Sequence, residues 1–109
     1  MQAVLNKIEN TSSSIQGNSI QDFLSRLENA DNIAKNEIEN SLVNLGKTAL
    51  GELVEQLQIV RGVKRGVVAM TLIRIGNDSI EYLQQAAKIN KDFEWVAKYL
   101  IAEIGGKVA

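Results

Sequence analysis

Apolar residues recur along the chain in two alternating frames, and a glycine marks each change from the first frame to the second. These glycines are Gly17, Gly46, Gly76 and Gly105, spaced 29, 30 and 29 residues apart. Leu45, Ile75 and Ile104 stand one residue before the last three, Leu42, Leu72 and Ile101 four before, and Ile38, Val68 and Ala97 eight before. Twelve before stand Ala34, Lys64 and Phe93, of which only Lys64 is polar. Such offsets fall on one stripe of an α-helix, so each unit predicts a helix that its glycine closes in left-handed backbone. A second stripe follows each glycine: Leu50, Leu53, Val54 and Leu57 after Gly46, and Ile80, Leu83 and Ala87 after Gly76. Thr48 and Asp78 are placed to cap these second helices, Asp78 with Glu81 three residues on as a capping box. The first unit is degenerate, since Ile20, Phe23, Leu24 and Leu27 sit one place early and Thr11 to Ser14 make a poor helix interior.

The predicted helices cover about residues 2–10, 19–28, 32–45, 48–58, 63–75, 79–89 and 92–104. They make one all-α domain over residues 1–109, with an N-terminal capping unit at 1–30, repeats at 31–60 and 61–90, and a half repeat at 91–109. The helix over 63–75 carries Val63, Gly66 and Met70 opposite its stripe and Ile73 near it. A helix apolar nearly all round is expected to be buried on every side.

The segment from Lys64 to Ala87, KRGVVAMTLIRIGNDSIEYLQQAA, resembles a HEAT repeat of the short kind also called phycobilisome-lyase HEAT-like. Ala34 to Leu57 is similar over both helices, and Phe93 to Gly105 looks like the first helix of a further repeat. The resemblance implies a HEAT-like α-solenoid of about three to three and a half helical hairpins, six to seven helices, whose second helices line a concave face that holds partners. In cyanobacteria similar repeats build bilin lyases and phycobilisome-handling proteins. A lyase subunit or pigment-handling chaperone is therefore the enzyme-class alternative.

Composition narrows the chemistry. The chain has no cysteine, no histidine and no proline. Disulfides, zinc-thiolate sites and the usual nucleophile-base triads are thereby excluded, and uninterrupted helices are favoured. The first fifteen residues lack a basic start and a long apolar run, and no stretch approaches a membrane span, so a cytoplasmic protein is expected. The net charge of -1 divides into -1 over residues 1–30, -3 over 31–60, +3 over 61–90 and zero over 91–109. The basic patch is Arg61, Lys64, Arg65 and Arg74, expected to form a solvated face with intrachain pairing between neighbouring segments. Nucleic-acid backbone binding by this patch is the weaker alternative, since such binding normally needs a large basic excess.

Trp95 and Tyr99 form an i, i+4 pair on the side of their helix away from Phe93, Ala97 and Ile101. Either they pack on the preceding repeat or the tail, or they form an exposed site for a partner or a second copy. On the second helices Glu52, Glu55, Gln56, Gln84, Gln85 and Lys88 are the outward positions, with Glu52 and Glu55 close enough to share one side of a turn. Together these features predict a non-enzymatic protein-interaction module without a cofactor or metal. It would bind through its concave face or through the Trp95/Tyr99 end.

Overall fold

A computed structural model describes residues 20–108, with side chains placed as far as residue 105. The predicted helix near 2–10 and Gly17 lie outside these residues. Everything described is helix, turn or connecting loop, with no strand. Residues 20–26 are helical (α1) and run into a 3-10 turn at Leu27–Asn29. Five further helices follow: α2 (Asn32–Leu45), α3 (Leu50–Leu57), α4 (Gly62–Ile75), α5 (Asp78–Ile89) and α6 (Glu94–Val108).

The helices pack in two layers. In one, α2 lies against α4 and α4 against α6; in the other, α3 lies against α5. Across the layers α3 rests on α4 and α5 on α6. The stripes read from the sequence meet in one apolar core: Ile38 and Leu42 of α2, Leu53 and Leu57 of α3, Val68 and Leu72 of α4, Leu83 of α5, and Ala97 and Ile104 of α6 are buried. Ile20, Leu24 and Leu27 carry this core back into α1. Burying a leucine fully stabilises the fold by about 1.5–3 kcal/mol relative to leaving it in water, so the repeated stripe is the main reason these helices hold together.

Two buried hydroxyls are both satisfied, and one of them ties the layers. Thr71 Oγ1 donates to the Val67 carbonyl at 2.7 Å within α4. Ser79 Oγ, at the start of α5, donates to the Leu72 carbonyl of α4 at 2.8 Å. Further along, Asn90 Nδ2 donates to Gln58 Oε1 at 3.0 Å and links the ends of α5 and α3. Every buried side-chain nitrogen or oxygen among the described residues has a hydrogen-bond partner.

The helix ends differ from expectation in three places. Gly46 and Gly76 do close α2 and α4, with φ of 61° and 91°, and Gly76 N–H donates to the Leu72 carbonyl at 3.1 Å. Their ψ of -142° lies outside the left-handed helical well, in an extended mirror region open in practice only to glycine. Gly105 closes nothing, because α6 continues to Val108. Neither expected cap forms: Thr48 lies in a 3-10 turn at Gly46–Ala49 and its hydroxyl donates back to the Leu45 carbonyl, while Asp78 is already inside α5. The tight 3-10 link spends the Thr48 hydroxyl on a carbonyl, so α3 starts without a side-chain cap. The side-chain caps observed are instead Asp31, whose Oδ1 accepts from Ala34 N–H at 2.8 Å, and Asn90, whose Oδ1 accepts from Asp92 N–H at 3.1 Å.

Burial on every side of α4 is also corrected. Ile73 is buried, but Val63, Gly66 and Met70 face water. In a two-layer packing a first-layer helix has neighbours beside and below it and none above, so its upper face stays open however apolar it is.

Candidate functional site

That open face is continuous from helix to helix by sequence frame. Ten and six residues before their respective glycines stand Asn36 and Asn40 on α2, Gly66 and Met70 on α4, and Trp95 and Tyr99 on α6. Thirteen before Gly46 and Gly76 stand Ile33 and Val63, both exposed. The outer face of the first layer thus changes from amide to apolar to aromatic along the stack. Trp95 is 70% exposed and Tyr99 58%. Beside them on α6, Lys98 Nζ and Glu94 Oε2 form an i, i+4 ion pair at 3.5 Å. Between α2 and α4 the same face is grooved, with Asn36 and Glu39 on one wall and Val63, Gly66 and Met70 on the other. Sequence reasoning missed the exposure of Ile33, Val63 and Met70; the signal that could have found it is the repeat frame, which puts them on the side of the helix that carries Trp95 and Tyr99.

Four of the second-helix candidates divide between two grooves, and Glu52 lines neither. Glu55 and Gln85 line a groove between α3 and α5 together with Gln58, Tyr82 and Ile89. Gly51 sits in its floor, where an added Cβ would stand 3.9 Å from Tyr82 Cε2. Tyr82 is a surface residue that the apolar pattern did not single out. Gln84 and Lys88 lie in a different groove, between α5 and α6. Glu52 is half-buried while Glu55 is exposed, and Glu52 is not among the residues lining the Glu55 groove. Among the described residues no three carboxylates gather into a cluster able to hold a metal ion.

The basic patch is largely occupied within the chain. Lys64 Nζ reaches Glu28 Oε2 at 2.9 Å, back to the N-terminal unit, and Arg74 Nη1 reaches Glu39 Oε2 at 2.9 Å, in the preceding repeat. Arg61 Nη1 donates to the carbonyls of Ile59 and Val60 at 3.2 and 3.1 Å, in the link between α3 and α4. Lys64, the polar residue in an otherwise apolar frame, is half-buried and ends in its ion pair. A long lysine stem can run along apolar surface while its ammonium stays in water.

The hydrogen bond and the charge of Lys64 hold the Glu28 carboxyl below its ordinary range. A carboxylate whose folded value is depressed contributes stability that is fully present above its unfolded value and is lost as pH falls through the folded one. An NMR titration should therefore find the Glu28 midpoint below that of an isolated glutamate. In Lys64→Gln it should return upward; an unchanged midpoint would show the pair does not form in solution.

The chain matches no family model, no curated protein and no solved structure. Its function must therefore be argued from the surfaces just described. No helix among the described residues is long and apolar enough to cross a membrane.

Proposed function

We propose that the protein is a non-enzymatic interaction module of the cytoplasm, a short α-solenoid of HEAT-like helical hairpins that holds a protein partner. The observation that carries this reading is the exposure of Trp95 and Tyr99 side by side on the outer face of α6. Aromatic residues supply large contact area for little lost side-chain freedom and are enriched where protein partners dock. The layering of alternate helices supports the solenoid, because stacked hairpins pack first helix on first and second on second.

Pull-down with the wild-type chain and with a Trp95→Ala/Tyr99→Ala double variant tests the reading. A partner held by the wild type should be lost from the double variant, whose own stability should stay within about 0.5 kcal/mol because surface positions contribute little to folding. Equal capture by both proteins would refute the assignment of the site.

A further inference from the structure

Between α5 and α6 lies an open groove of about 720 Å³ whose floor includes Ala87, Ala97, Ile101 and Ala102. Its rim carries Lys88, Lys91 and Lys98 against a single acid, Glu94. The repeat supplies a direct comparison. Moved back 30 residues on α5 and 29 on α6, the floor positions become Leu57, Val68, Leu72 and Ile73, all buried. They lie in the corner between α3 and α4, and that corner is filled by a helix, α5, which packs on both. α5 buries Leu83 there and is fastened by the Ser79 hydrogen bond to Leu72.

The open groove thus repeats a corner that elsewhere in the chain receives a helix, with two changes. Its floor is shallower in side chain: alanine stands where leucine, valine and isoleucine stand in the filled corner. Its rim carries lysine at two new places, Lys88 for Gln58 and Lys98 for Ala69, while Glu94 stands for Arg65. The first change leaves room for bulky apolar side chains from the incoming helix, and the second favours carboxylates on its flanks.

We propose that this groove docks an amphipathic helix of a partner protein, one with leucine-sized residues on its buried stripe and glutamate or aspartate beside it. The groove adjoins the aromatic face of α6 across the Glu94–Lys98 pair but is lined by neither Trp95 nor Tyr99, so truncating those two aromatics tells the surfaces apart.

The test is fluorescence anisotropy of a labelled synthetic helix, leucine at alternating three- and four-residue spacing with flanking glutamates, titrated with the full chain. Binding should saturate, weaken as salt rises, and fall by about tenfold or more in Lys88→Glu/Lys98→Glu and when Ala102→Tyr fills the floor. The same peptide with lysine for glutamate should not bind, and Trp95→Ala/Tyr99→Ala should bind like the wild type. No saturable binding, equal affinity for the lysine peptide, or indifference to the charge reversals would each overturn the proposal. So would a groove already closed by a second copy, seen as a concentration-dependent dimer that Lys98→Glu dissociates. Preferential binding to anionic lipid vesicles over the acidic helix would also overturn it.

Discussion

Leu72→Ala should destabilise the protein by about 3 kcal/mol, within the range of 2–5 kcal/mol usual for a leucine truncated in a packed core. Leu72 is fully buried on α4, the helix that touches α2, α3, α5 and α6. Its backbone carbonyl also accepts from Gly76 N–H and from the Ser79 hydroxyl. The carbonyl bonds survive the substitution, so the loss is one of buried methyl groups and of the cavity they leave. Met70, two residues earlier on the same helix, is 46% exposed, and Met70→Ala should cost no more than about 0.5 kcal/mol. Urea unfolding of the two variants measures both effects. Similar losses at the two positions would mean that α4 is buried all round, as its composition alone suggests.

Gly76→Val should cost about 2–3 kcal/mol for a different reason. Space is not limiting, since the nearest atom to an added Cβ is the Arg74 carbonyl oxygen at 4.0 Å. The backbone is limiting: φ of 91° with ψ of -142° is a conformation that a β-branched residue adopts only under strain, and strain of this kind costs of order 1–3 kcal/mol or more. Gly105 supplies the control. It lies inside α6 with nothing within 4 Å of an added Cβ, so Gly105→Ala should raise stability by about 0.5–1 kcal/mol. Thermal unfolding should therefore move in opposite directions for two glycines that occupy the same place in the sequence repeat.

That contrast shows where the sequence is informative. Helix bodies were legible because each buries a stripe, and Ile38, Val68 and Ala97 recur in one frame for that reason. Helix ends were less so. A glycine at the right spacing is the same letter whether it turns the chain, as Gly76 does, or rides within a helix, as Gly105 does. Thr48 and Asp78 have the chemistry of caps, but the short links after Gly46 and Gly76 place one in a 3-10 turn and the other already within its helix.

The candidate surfaces were legible as residue types and not as places. Glu55 and Gln85 line one groove because α3 and α5 pack together, a placement that neither helix alone encodes. Gln84 and Lys88, on the same helix as Gln85, turn instead toward α6. Pairing of the basic patch within the chain was legible from the charge blocks, but its particular partners, Glu28 and Glu39, were not, because they lie 36 and 35 residues away and only helix packing brings them near.

Trp95 is the sole tryptophan of the chain, so its emission reports on the proposed partner site and on nothing else. Steady-state fluorescence of the dilute chain, with and without acrylamide, measures whether that site is open. At 70% exposure the indole should emit at the red end of the tryptophan range and be quenched freely, then shift to the blue and become protected when a partner from the pull-down is added. Blue, protected emission from the dilute chain alone would mean that Trp95 is already packed, and would contradict an aromatic surface kept open for a partner.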